Sequence, residues 1–413
     1  MVGFSRAPQE LVCDGVSLSA LAGAEGTPVY VYSAAVLRDR YRAIDAAFGV
    51  YPHRLHYALK ANSSLALARL LAGLGSAADA NSIWEIELAQ KAGFAPADIV
   101  FTGVGKGPAE LDAAVPLGLK AINVESAGEL ARVEAIATRL GVRARVALRV
   151  NPDIDAKSHP HISTGLKINK FGIPRDAARE LLTTVATRTA LSLVAIHVHV
   201  GSQVTTAEPL ARAAALVADL AGDAKQHGVA LEYLDLGGGL GISYDEGDVL
   251  SPERYADALV SAVRSTGLPI VIEPGRAIAG PAGALIAQVI DIKPRTADSD
   301  FAVLDAGMTE LMRPALYGAY HRIEPLRPRA GATRQYEFVG PVCESSDVVG
   351  RDRFVTPLEV GDLVAIRDAG AYGSAMASNY NRRPLPPEVL VDAGAWRVIR
   401  RRQTIGDMTE LES

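Results

Sequence analysis

Between about residue 50 and residue 275, short apolar or β-branched runs alternate with longer amphipathic stretches. The runs Leu55–Leu59, Ala77–Ala80, Ile99–Thr102, Ala121–Val124, Ala144–Val150, Leu193–Val198, Tyr233–Leu236 and Ile270–Ile272 have the length and make-up of buried strands. Between them, Ser64–Leu74, Ala127–Leu140 and Glu208–His227 space Ala and Leu with a helical period. In Ala127–Leu140, Leu130, Val133, Ile136 and Ala137 fall on one stripe, which predicts one buried face. Eight strand–helix units in succession imply a parallel sheet covered by helices, and eight is the number that closes a barrel. An open doubly wound sheet would show the same alternation. The barrel is favoured because polar or glycine-rich residues follow nearly every run: Lys60, then Asp79 and Ser82, Gly103 to Lys106, Arg149 to Pro152, His197 to His199, Gly237 to Gly239, and Glu273 to Arg276. Barrel active sites gather at the carboxyl ends of the strands, so this punctuation predicts one site at one mouth.

After residue 280 the texture changes. Ala284–Ile292, Phe301–Leu304, Tyr336–Val339 and Leu363–Ile366 read as strands with little helix between them, and Pro28-Val29-Tyr30-Val31-Tyr32 is strand-like near the other chain end. The expected organisation is a (β/α)8 barrel over 34–280 and a β-rich sandwich or barrel formed by 1–33 with 281–413. Two domains also suit 413 residues, because single cores stop growing near roughly 250–300 residues.

Composition narrows the function. The formal net charge of −5 comes with no basic stripe, which argues against nucleic acid. No apolar run approaches the roughly 20 residues of a membrane span, and Met1–Arg6 lack the apolar core of a signal peptide. The two cysteines, Cys13 and Cys343, are too few for a disulfide framework and fit a reducing compartment; a cytoplasmic protein is expected.

Several groups carry chemistry. Most lysines are solvated surface charges, but Lys60 ends an apolar strand, where a partly desolvated amine has a lowered pKa and forms imines. Asp235-Leu236-Gly237-Gly238-Gly239-Leu240-Gly241 is either a tight turn or a cradle of backbone N–H groups for an anion; it has neither the P-loop spacing nor a dinucleotide fingerprint. Glu273-Pro274-Gly275-Arg276 sets an acid beside a base, either as a structural salt bridge or as a carboxylate for a pyridine nitrogen and a fork for an anion. His197 and His199, on one face of their strand, are packed histidines, a ring stacked on a flat ligand, or a metal pair completed by Asp79 or Glu273. Met308 to His321 is rich in groups that bind carboxylates, and Cys343-Glu344-Ser345-Ser346-Asp347 in thiol and acid.

Taken together these motifs resemble the alanine-racemase-like, fold-type III pyridoxal-phosphate-dependent decarboxylases, and within them the diaminopimelate branch. The resemblance runs from Thr27–Tyr32 through Tyr57–Asn62, Thr164–Ile173, His199–Gln203, the glycine cluster and Glu273–Arg276 to Arg313–Tyr317, Cys343-Glu344 and Asp368–Gly373. It implies decarboxylation of meso-2,6-diaminopimelate to L-lysine and CO2, the last step of lysine biosynthesis. Lys60 is implied to carry pyridoxal 5′-phosphate as a Schiff base, with Asp79 nearby, His199 stacked on the ring and Glu273 on its nitrogen. Ser202, Gly237, Gly238, Gly239, Gly275, Arg276 and Tyr372 are implied around the phosphate. Arg276, Arg313, Tyr317 and Tyr372 are implied for the substrate, Glu344 for its distal ammonium, and Cys343 as proton donor. Cys343 and Glu344 are implied to come from a neighbouring subunit, making a homodimer with its active site at the subunit interface.

One departure is Ser82-Ile83-Trp84-Glu85, where the family commonly carries two glycines. It leaves open another amino-acid substrate, such as ornithine, arginine or a secondary metabolite. More distant readings are a metal-dependent barrel hydrolase using His197 and His199, and a non-catalytic regulatory homologue. The latter would be expected to lose Lys60 or Cys343. The Arg313–Tyr317 and Cys343-Glu344 signatures speak for decarboxylation over racemisation.

Overall fold

The computed structural model describes residues 2–155, 169–245 and 247–412; Thr164–Ile168 of one motif lie outside them. It divides into two compact units, Tyr41–Ile242 with Asp248–Ala277, and Met1–Arg40 with Ser243–Gly247 and Ile278–Ser413.

The first unit is a closed barrel. Its strands are β1 (His53–Ala58), β2 (Ala77–Ala80), β3 (Ile99–Phe101), β4 (Ala121–Val124), β5 (Ala144–Asn151), β6 (Leu191–Val198), β7 (Tyr233–Asp235) and β8 (Ile270–Ile272). Each pairs in parallel with the next, and β8 returns to β1 through Ile270 opposite His53, so no edge remains among the eight. Parallel strands covered on both faces read as near-continuous apolar runs, and β2, β3, β4, β7 and β8 are buried at every residue. The open-sheet alternative is thereby excluded.

Helices return the chain between strands. Ala127–Leu140 starts where Ser126 Oγ accepts the Glu129 N–H at 3.0 Å and stops at Gly141 in the left-handed conformation. Leu130, Val133 and Ala137 of the predicted stripe are buried, and Ile136 is half-buried. Burying one side of each helix against the barrel exterior fixes the direction in which every strand ends, and so gathers the polar strand ends at one mouth.

The second unit is β-rich. The twelve-residue strand Gly283–Pro294 is its spine. It pairs antiparallel with Val29–Ser33, Leu363–Ile366 and Ser299–Leu304, with a register shift between Val289 and Asp291 where it passes from one set of partners to the other. Val29–Ser33 also pairs in parallel with Glu388–Asp392, so both chain ends build one sheet. Leu18, Leu21, Val29, Val31, Ile286, Ala365, Val389 and Val391 form its core.

Candidate active site

Strand β1 delivers Lys60. Leu55 to Ala58 are buried, and the chain then tightens into a 3-10 turn, Leu59–Ala61, which turns the Lys60 side chain out of the wall. Its Nζ donates to Asp79 Oδ2 on β2 at 3.2 Å; the lysine side chain is 37% exposed and the aspartate 0%, so the cation has one foot in solvent. The chain after β8 packs on this turn: Ala58 N–H donates to the Pro274 carbonyl at 3.2 Å, and a Cβ on Gly275 would lie 2.9 Å from that of Ala61.

The glycine turn after β7 is equally tight. Gly237 and Gly239 have φ of +65° and +102°. A Cβ on Gly237 would sit 2.4 Å from the Val198 carbonyl and one on Gly238 2.3 Å from that of Glu273. Close approach is therefore what these glycines supply first. Their N–H groups also turn inward: Gly237 donates to Asp235 Oδ1 at 3.0 Å and Gly238 to His199 Nδ1 at 3.2 Å. That bond makes Nδ1 the unprotonated nitrogen of His199. Desolvation first, then Lys60 and Arg149, hold this imidazole well below its ordinary pKa.

Beneath the turn lies a buried acid pair. His197 Nε2 meets Glu273 Oε2 at 3.3 Å, and Asp235 stands close by; one ligand atom from each of the three lies within 4.8 Å of the others. Such a set also suits a cation. The histidine pair considered from sequence does not form it: the strand ends at Val198, and His199 serves Gly238 while only His197 reaches Glu273. Burial works to raise the Glu273 pKa, but His197, then Lys60 and His56, bring it down to about 2. Burial and that neighbouring charge push Asp235 the other way, well above its ordinary value. The pair holds one negative charge, on Glu273, and Glu273 Oε1 is buried without a hydrogen-bond partner among the described residues. Across the mouth, the buried Arg276 donates from Nε and Nη2 to Ser202 Oγ at 3.2 and 3.0 Å.

In the second unit, Arg313 and Tyr317 bound one short helix, Arg313–Tyr317. Arg313 is 4% exposed, its guanidinium 4.7 Å from the Tyr244 ring centre. Tyr372 is half-buried at φ +57°, in a turn where a Cβ on Gly373 would lie 2.7 Å from Tyr30 Oη. Cys343 and Glu344 are exposed on a loop that Asp347 ties together: its carboxylate accepts the Met308 N–H at 2.6 Å and the Val342 N–H at 2.7 Å. A Cβ on Gly307 or Gly340 would strike that carboxylate at 2.4 or 2.3 Å.

Within the barrel, Lys60, Asp79, His199, Ser202, the glycines, Glu273 and Arg276 thus occupy one mouth, as the punctuation predicted. Sequence reasoning gave no role to Asp235, His321 or Asp347. Asp235 had a signal, since it precedes the glycines; the other two sat in motifs rich in more conspicuous groups.

The profile for the pyridoxal-binding domain of pyridoxal-dependent decarboxylases matches residues 34–280. The diaminopimelate decarboxylase of Vibrio cholerae is 45% identical over 98% of this chain and 97% of its own. This chain belongs to the pyridoxal-dependent decarboxylases. Solved relatives agree. A diaminopimelate decarboxylase from Helicobacter pylori in complex with L-lysine superposes with a TM-score of 0.92 at 41% identity, covering 95% of this chain and 98% of that one. One from M. jannaschii, also with L-lysine, gives 0.94 at 35% identity, covering 100% and 99%. The family's cofactor is pyridoxal phosphate, and the residues fit it: an amine at a strand end, an ionised buried carboxylate with an oxygen to spare, a neutral imidazole, and a turn too close for any side chain.

Proposed function

We propose that this enzyme removes CO2 from meso-2,6-diaminopimelate to give L-lysine, and that Lys60 and the barrel mouth hold the pyridoxal phosphate that makes this possible. The observation that carries the reading is Glu273, a buried carboxylate held ionised beside His197 and the raised Asp235, the charge that a protonated ring nitrogen needs opposite it. When bound, the cofactor supplies an electron sink for the pair left behind as the carboxylate departs.

The chain's residues divide the remaining work. Lys60, steadied by Asp79, would hold the cofactor through its amine. His199, held neutral, would offer the ring a flat face without adding charge. Gly237, Gly238, Gly239 and Gly275 admit the phosphate closely, with Ser202, Arg276 and Tyr372 around it. Arg276, Arg313, Tyr317 and Tyr372 hold substrate carboxylates and Glu344 the distal ammonium. Cys343 Sγ–H returns the proton to the carbon that lost CO2. A substrate lacking the second carboxylate leaves the buried Arg313 guanidinium unpaired, which is how the site rejects it.

Cys343 and Glu344 are assigned to the neighbouring subunit's site, supported by their exposure in the single chain, so a homodimer is the working form. The pyridoxal-binding domain is assigned to 34–280 and the β-rich domain to 1–33 with 281–413. A cytoplasmic location is supported by a free, exposed Cys343 thiol. Among the described residues no helix is long and apolar enough to cross a membrane.

The test is direct. Purified enzyme with pyridoxal phosphate is given meso-diaminopimelate, and lysine and CO2 are measured; borohydride reduction followed by peptide mapping should mark Lys60. Turnover of ornithine or arginine in its place would move the substrate assignment, and a label on any other lysine would end the mechanism. Mixing the separately inactive Lys60→Ala and Cys343→Ala chains should restore about a quarter of wild-type activity if sites are shared across a two-fold interface, and none if each chain is self-sufficient.

A further inference from the structure

His321 is buried, 0% exposed, in the second unit, and both its ring nitrogens are engaged. Nε2 lies 2.7 Å from Arg313 Nη1, and Nδ1 lies 2.8 Å from the Arg367 carbonyl. A guanidinium has no lone pair to offer, so Nε2 must accept; a carbonyl has no proton, so Nδ1 must donate. The contacts fix one neutral tautomer. Tyr244 closes the arrangement: its ring meets His321 edge-on at 5.1 Å and lies under the Arg313 guanidinium at 4.7 Å.

The frame behind His321 is rigid. Ile323–Pro325 pairs with Leu363–Ile366, Arg367 N–H donates to the Arg322 carbonyl at 2.8 Å, and the Arg367 guanidinium is bound to Glu324. The carbonyl that sets the imidazole's direction is therefore itself held by a strand pair.

We infer that His321 is a positioning residue that sets carboxylate recognition by Arg313, taking the guanidinium's direction through a neutral acceptor and a tyrosine face. The inference rests on the reading that Arg313 binds the carboxylate at the end of the substrate that does not react. The chemistry of the partner matters. A carboxylate in the place of His321 would orient the arginine equally well, but would neutralise it, as Glu129 does Lys106 in the barrel. An imidazole orients without cancelling the charge that recognition needs. Tyr244 does the same through its ring face, which also fixes the plane of the fork.

Four chains decide it, each assayed as the pyridoxal-phosphate-loaded enzyme: wild type, His321→Phe, His321→Gln and Arg313→Ala. Lysine keeps the unreacted carboxylate and cadaverine lacks it, so the two serve as paired inhibitors. His321→Phe should raise KM for meso-diaminopimelate and Ki for lysine tenfold or more, with kcat within about threefold and Ki for cadaverine unchanged. His321→Gln, whose amide offers an acceptor and a donor at similar spacing, should recover most of both losses. Should the Phe chain fail to fold, His321→Asn, too short to span both partners, must show the same shift in lysine over cadaverine. Lysine and cadaverine weakened alike, or neither weakened, would overturn the positioning role. Arg313→Ala separates the two layers: if it leaves KM and lysine Ki untouched the underlying reading fails, whereas a loss there with none in the His321 variants fails this inference alone.

Discussion

Two groups of buried charges line the same barrel and are built on opposite rules. At the ends of β3, β4 and β5, Lys106 Nζ donates to the Gly103 and Asn123 carbonyls and to Glu129 Oε1, each at 2.7 Å. Glu129 Oε2 accepts the Glu125 N–H at 2.9 Å, while Glu125 binds Arg149 with one oxygen and the Gly172 N–H, at 2.9 Å, with the other. Every carboxylate oxygen and every ammonium proton there has a partner. At the ends of β1, β2 and β6 to β8, by contrast, Asp79 Oδ1, Asp235 Oδ2, Glu273 Oε1, His56 Nε2 and His197 Nδ1 are buried with no partner among the described residues, against Asn123 Oδ1 alone beside the first cluster. A buried polar atom left unmade costs free energy, so a fold retains such a group where something else completes it. The satisfied cluster is scaffold; the unsatisfied one is where the cofactor belongs.

The contrast breaks most visibly at Lys60. Lys60→Ala should lower kcat by about a thousandfold or more, and because it leaves the buried Asp79 without its ammonium the urea midpoint should fall as well. Glu273→Gln comes next: kcat should fall about a hundredfold, and the stability that its lowered pKa supplies at pH 7 should go with the charge. Lys106→Met should cost stability alone. It strands Glu129 in a buried site, so urea unfolding should report a loss of about 3–5 kcal/mol, with activity per folded molecule within a few-fold of wild type. If Lys106→Met cost activity per folded molecule as the other two do, the division into scaffold and site would be wrong.

Acid should probe the unsatisfied cluster in two steps. His56 is fully buried, and burial, then Lys120, push its pKa from 6.5 down to about 4. The unfolded chain takes up this proton first, so the stabilisation is complete above pH 6.5 and drains away as pH falls towards 4, roughly 3 kcal/mol in all. Glu273, held at about 2, keeps its contribution above 4.5 and loses it only as pH falls below that. Asp235, raised, acts in the opposite sense: its contribution is present at low pH and is lost as pH rises. Urea midpoints across pH 7 to 4 should show the first slope, and His56→Phe should flatten it.

What the sequence made legible follows from the same division. Strand positions were legible because a buried parallel strand is a near-continuous apolar run, and the site was legible because most such runs end in or beside a polar group. Pairings across the barrel were not. His197 and Glu273 are 76 residues apart, and nothing local marks which of two neighbouring histidines faces the acid. In the second unit, Val348–Val355 carries Arg351, Asp352 and Arg353 mid-strand and Ala395–Arg400 is almost wholly exposed, so neither shows the alternation that betrays a half-buried strand. Phe4–Arg6, Leu11–Cys13 and Val16–Ser17 are two or three residues long, shorter than any periodicity.

The smallest expected effect sharpens a role that residue type alone left ambiguous. Ser202 was assigned to the phosphate by resemblance, yet its Oγ accepts two N–H groups of Arg276. With both bonds arriving at one oxygen, the hydroxyl proton remains to be donated, and the same oxygen fixes the arginine's plane. Ser202→Ala removes both effects. A net hydrogen bond of about 1 kcal/mol corresponds to roughly fivefold in affinity, and which affinity changes is the point. A fivefold weaker hold on pyridoxal phosphate with KM unchanged assigns the hydroxyl proton to the phosphate. A fivefold rise in KM with cofactor binding unchanged assigns Ser202 to Arg276 and, through it, to the substrate carboxylate. Equal changes in both would mean that Arg276 serves phosphate and substrate from one fixed plane, and Arg276→Lys, which keeps the charge and loses the fork, should then reproduce them.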